Sequence, residues 1–258
     1  MAKEYRGSQK HVLDLLDSGQ TGITSLNAFL APFECQISSA DVYRPKGRPE
    51  PKEYYLPKFY GDFCTSFLDS ASIVDWWVRT PWRPPTWDLI STFTTNQDQR
   101  GVLLVEAKAH ENEFDWGGKS QKTHASIGSK SNHTQIVGCL NEANKALNDS
   151  FDGYFRLAVD SHYQLSNRVA HLWKLATCKI PVILLYLGFC GDREIEPSFF
   201  RDDEHWQRSM GGYLQGVVPQ SFLNTVHPLS DGGSMLMLSR SLPVLSVSPT
   251  RKSNQSNS

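Results

Sequence analysis

The chain has 258 residues, with 39% hydrophobic, 11% aromatic and 21% charged content and a formal net charge of -1. That is an ordinary globular composition, long enough to bury a substantial core, and it excludes a wholly disordered chain or one drawn to nucleic acid by overall charge, so any such contact must be local. The five cysteines form no Cys-x-x-Cys pair, no apolar leader run opens the chain and no stretch approaches about eighteen apolar residues, so no disulfide framework, structural zinc or membrane span is signalled and a reducing, cytoplasmic setting is expected.

One domain is expected over residues 1–245, with an N-terminal helical extension (1–58) and a core (59–190), followed by a polar, serine-rich tail (246–258) expected to be disordered. Val12, Leu13, Leu15 and Leu16 lie at helical spacing before Ser18-Gly19, so residues 3–17 are expected to be helical, with a second short helix over 24–33 that stops near Pro32. Residues 43–52 hold three prolines and a glycine among charges and read as an exposed loop. Phe59, Phe63, Phe67 and Leu68 repeat at helical spacing, and residues 75–80 read as a first strand. Residues 87–94 have strand composition, and a polar link leads from them to the apolar run Val102–Val105, which predicts a hairpin.

His110, Glu111 and Glu113 follow, a pattern shared by an extension of the acidic cluster and by a polar strand end in solvent. Residues 116–133 contain no acid and carry Lys119, Lys122 and Lys130 among glycines, the pattern of a flexible insertion. Asn132 is expected to cap a helix whose apolar face is Ile136, Val137, Leu140, Ala143 and Leu147. After a short strand at 155–159, residues 162–176 give the clearest helix, with Leu165, Val169, Leu172, Trp173 and Ala176 inward and Gln164, Arg168 and His171 on another face. The unbroken apolar run 180–189 suits a central strand covered on both faces. Beyond residue 191 the pattern fades, and only an edge strand over 235–246 is expected.

The chemistry concentrates on the hairpin. Alternation along a strand puts Glu106 and Lys108 on one face, and the return of the hairpin sets Asp88 beside Glu106. Two close carboxylates repel unless a cation lies between them, and hard oxygen ligands with the Ala107 carbonyl suit Mg2+ or Mn2+. Lys108 then faces the substrate, where it orients a nucleophile or stabilises developing negative charge. The reaction implied is phosphodiester hydrolysis.

Asp88 with Glu106-Ala-Lys108 resembles the signature of the PD-(D/E)xK nuclease superfamily, over residues 59–189 in element order; the one departure is that Pro85 stands three residues ahead of Asp88 instead of next to it. The resemblance implies a restriction-endonuclease-like α/β (α+β) fold, an α-β-β-β-α-β core whose mixed sheet is flanked by helices. It implies metal ligation by Asp88, Glu106 and Ala107, and catalysis by Lys108 with Gln164 near the metal site to orient water or Lys108. Asp69 is the nearest match to the acidic ligand that some members carry on the leading helix. Phosphate contacts are expected from Lys119, Lys122, Lys130 and Arg168, with Phe114 or Trp116 as a stacking surface. The leading function is therefore a Mg2+- or Mn2+-dependent nuclease acting on nucleic acid, DNA foremost, away from any membrane. An inert module that keeps the fold, and a hydrolase of a small phosphorylated substrate, are the other readings, and a homodimer remains open.

Overall fold

The computed structural model describes residues 4–68, 73, 76–77, 84–119, 126–195 and 197–245. Its first helices are α1 (Gly7–Asp17) and α2 (Gln20–Leu30), packed closely where Gly22 meets α1; a Cβ there would lie 2.0 Å from the Leu15 carbonyl oxygen. Short strands β1 (Cys35–Gln36), β2 (Tyr43–Arg44) and β3 (Tyr54–Tyr55) lead to α3 (Leu56–Phe63). Next come β4 (Thr86–Trp87), β5 (Leu89–Thr95) and β6 (Arg100–Lys108), then α4 (Ile127–Ser150), α5 (Tyr163–Ala176) and β7 (Pro181–Cys190). The chain continues through α6 (Asp203–Leu214), β8 (Val226–Pro228) and β9 (Ser234–Pro243).

The result is a mixed α/β architecture. The main sheet runs β1-β5-β6-β7-β9-β8, with β2 also pairing β5; β6, β7 and β9 are parallel to one another, while β5 and β8 run antiparallel to their neighbours. Side-chain alternation divides the core into two layers. Val102, Leu104, Val182, Leu184 and Tyr186 pack beneath α3, α4, α5 and α6. Leu103, Val105, Ile183, Leu185 and Leu187 pack against α1 and α2. Each such buried side chain contributes about 1.5–3 kcal/mol, which is why these strands read as continuous apolar runs.

The hairpin, the helix over 163–176 and the central strand form where the sequence placed them. Other elements differ. The strand expected at 75–80 falls mostly outside the described residues, and its two described members, Trp76 and Trp77, lie in a turn and a bend; the strands beside β5 are β1 and β2. Residues 43–52 begin as a strand and continue as a loop exposed at Arg48–Glu50 and Lys52, but it is tied to the domain, since the Arg44 guanidinium lies 4.6 Å from the Phe63 ring centre and Arg48 binds Asp17 at 2.8 Å. The long helix starts earlier than Asn132: Ser126 caps it, accepting from the Ser129 N–H at 3.2 Å. Residues 155–159 form no strand; Asn144 and Asn148 hold the backbone of Phe155 and Leu157 instead. The strand expected at the sheet edge is β9, an interior strand between β7 and β8. Asp69, Lys122 and the tail 246–258 lie outside the described residues.

Candidate active site

The β5–β6 register ends with Leu89 opposite Val105, so one further step sets Asp88 opposite Glu106. Here the chain leaves the sheet, because β4 pairs with β3 instead. The Ala107 N–H, left without a strand partner on that side, donates to Asp88 Oδ2 at 2.8 Å. In a strand the N–H and C=O of one residue point the same way, so the Ala107 carbonyl also leaves toward Asp88. Asp88, Glu106 and Lys108 share the face covered by α5, at the carboxyl ends of parallel strands, where open α/β sheets commonly place ligands.

Helix α5 delivers the remaining partners. Gln164 and Arg168 are four residues apart and so lie one above the other on the side facing β6. Lys108 Nζ donates to Glu106 Oε1 at 2.6 Å and to Gln164 Oε1 at 2.9 Å. Arg168 Nε donates to Glu106 Oε2 at 2.7 Å, while its two terminal nitrogens hold the Thr86 carbonyl at 2.8 Å and Asn167 Oδ1 at 3.1 Å. Its guanidinium carbon also lies 4.2 Å from the centre of the buried Trp87 ring. Glu106 and Lys108 are 2% and 3% exposed, so these are desolvated ion pairs, and removing one partner from such a pair typically costs about 3–5 kcal/mol.

The two carboxyls titrate apart. Burial opposes charge on Glu106, but Arg168 and Lys108 outweigh it and hold the pKa below the ordinary carboxylate range. Burial, then the neighbouring Glu106 charge, push Asp88 up to about 8 despite the pull of Lys108 and the Ala107 N–H. Without a further cation, Asp88 is therefore substantially protonated at neutral pH.

A cleft of about 310 Å3 opens over this group. Ser8, Glu53, Thr86 and Glu113 join its walls. Glu113 binds the Ser8 N–H at 3.1 Å and the Ala109 N–H at 2.5 Å, tying α1 to the end of β6. Glu53 is fixed by the Thr86 hydroxyl at 2.8 Å. Glu113 was visible in the sequence as a polar strand end; nothing there pointed to Ser8 or Glu53.

A group of three or more His, Cys, Asp or Glu side chains able to hold a metal is not found among the described residues. The oxygen atoms gathered here are those of two carboxylates and the Ala107 carbonyl, and both Glu106 oxygens accept from cationic side chains. Magnesium characteristically accepts such a set, binding through one or two carboxylates and completing its shell with water and substrate phosphate. Asp88 Oδ1 takes no donor among the described residues.

The expected phosphate contacts separate. Lys119 donates to the Tyr163 hydroxyl at 3.4 Å beside α5, Lys130 stands exposed near the start of α4, and Arg168 is buried against Glu106. Phe114 is buried and Trp116 is 52% exposed, so only the indole presents a free face. The five cysteines form no disulfide, and no helix among the described residues is long and apolar enough to cross a membrane. Searches against protein-family models, curated proteins and solved structures find no match for this chain.

Proposed function

We propose that the chain is a divalent-metal-dependent nuclease with a restriction-endonuclease-like core, in which α3, β5, β6, α5 and β7 correspond to elements of the PD-(D/E)xK order. The observation that carries this reading is the Lys108 ammonium, held between Glu106 and Gln164 in an open cleft beside Asp88. Asp88, Glu106 and the Ala107 carbonyl are the proposed ligands of Mg2+ or Mn2+. When bound, the ion would supply Lewis-acid charge neutralisation and a more acidic water. Lys108 orients the attacking water and stabilises charge on the phosphoryl oxygens, Gln164 positions Lys108, and Arg168 sets the plane of the Glu106 carboxylate. With Asp88 ionised, Asp88 and Glu106 balance Lys108 and Arg168, while Glu53 and Glu113 in the walls leave the cleft acidic, a charge that a divalent ion would neutralise before a phosphodiester enters. The test is incubation of purified protein and Mg2+ or Mn2+ with labelled single-stranded, duplex and branched DNA and with RNA. Cleavage of at least one form, stopped by chelation, is expected; no cleavage of any form rejects the reading.

One observation favours an inert module that keeps this fold: both Glu106 oxygens already pair with cationic side chains. Calorimetric titration with Mn2+ separates the two. The nuclease binds the ion and loses it on Asp88→Ala, whereas the inert module takes up none.

A further inference from the structure

Beside the active cleft lies a second cavity of about 330 Å3, and the two share Thr86, Gln164 and Arg168 as walls. The first turns of α5 serve both. Gln164 and Arg168 form the row that touches Lys108 and Glu106, and Tyr163 and Asn167, also four apart, form the adjoining row that lines the second cavity. A ligand seated there therefore lies next to the reacting centre.

The chemistry of its walls is that of a base site. The half-buried Tyr163 ring lines the cavity, backed by the buried Trp77 with ring centres 6.5 Å apart and 34° between planes, and Pro84 and Pro85 add apolar surface. Asn167 Oδ1 is held by Arg168 at 3.1 Å, which fixes the amide and leaves its N–H2 as a donor. Asp115 adds a carboxylate acceptor, oriented by the Gly117 N–H at 3.1 Å. That carboxylate disfavours a phosphate within the cavity, while Lys119 at the rim suits one outside it. The volume is at the small end for ligand cavities and admits a single extruded base, not a duplex.

We propose that this cavity binds one unpaired nucleobase flanking the scissile phosphate, so that the substrate is single-stranded or locally opened nucleic acid. Asp115, as an acceptor, favours a base with an exocyclic amino group, such as adenine, over thymine. The inference rests on the nuclease reading above.

The test is fluorescence anisotropy of the full chain in metal-free buffer, with four labelled probes: an oligodeoxyadenylate, an oligothymidylate, an abasic strand of the same length and a blunt duplex. Cleavage of the same strands with Mn2+ is scored in parallel. The adenylate strand is expected to bind about tenfold tighter than the abasic strand or the duplex, and Tyr163→Leu to remove that advantage. Asp115→Ala, which removes the acceptor at an exposed position, is expected to erase the preference for adenylate over thymidylate. Equal binding of base-bearing and abasic strands overturns the base site, and if Mn2+-dependent cleavage persists the nuclease reading stands without it. A base preference lost in both variants, with no cleavage under Mn2+, keeps the base site and removes the nuclease reading. Absence of both binding and cleavage overturns both.

Discussion

Asp88→Asn keeps the shape of the side chain, and an oxygen to accept the Ala107 N–H, while deleting the charge. Burial and the Glu106 carboxylate push the Asp88 pKa from 3.8 to about 8. This acid is weaker in the folded chain than in the unfolded one, so the stability linked to its proton is complete below about pH 4. It is lost as pH rises, with little further change above about pH 8. Each pH unit corresponds to about 1.4 kcal/mol, giving a ceiling of about 4 kcal/mol between about pH 5 and pH 8. Asp88 is half-buried and opens onto the cleft, and solvent screening reduces the expectation to about 2 kcal/mol. Relative to wild type, the metal-free variant should therefore gain about 2 kcal/mol over that range. Taking the difference between the two proteins cancels other titrations, notably His171, which burial pushes down to about 4. Urea unfolding followed by tryptophan fluorescence at the two pH values measures it, and parallel pH profiles in the two proteins would refute the linkage. Adding Mn2+ at about pH 8 should stabilise wild type and leave the variant unchanged.

Gln164→Ala removes the oxygen that Lys108 holds at 2.9 Å, and steady-state kinetics should show kcat reduced about tenfold with KM little changed. Arg168→Met leaves one Glu106 oxygen buried without its cation and should destabilise the protein by about 3 kcal/mol in thermal or urea unfolding. Gly22→Ala drives a Cβ to 2.0 Å from the Leu15 carbonyl oxygen and should cost about 2 kcal/mol by forcing α1 and α2 apart, measured the same way.

What could be read from the sequence followed from local periodicity. The β5–β6 hairpin needs only two apolar runs and a short polar link, and strand alternation then puts Glu106 and Lys108 on one face. Gln164 lies in the first turn of a strongly amphipathic helix, and its place near Lys108 is what the family resemblance implies. Arg168 was seen on the same face, but its burial against Glu106 and Trp87 depends on tertiary packing. Ser8 and Glu53 come from distant segments that reach the cleft only after α1 and β3 dock, so no spacing rule finds them. Helix α6 was missed because Gly211 and Gly212 dilute its periodicity, although Trp206, Met210, Tyr213 and Leu214 form its buried face. Strand β9 read as an edge because parallel pairing with β7 is set by a long crossover, not by any local turn.

The central claim is that Lys108 acts on a metal-bound phosphodiester, and it is tested most directly by the Mn2+-dependent cleavage rate of labelled single-stranded DNA by wild type and by Lys108→Ala, with folding of each checked by circular dichroism. Cleavage by wild type that chelation abolishes, and that falls by about a hundredfold or more in the variant, is the predicted result. A variant that cuts as fast as wild type, or a wild-type protein that binds Mn2+ and cuts nothing, would contradict it.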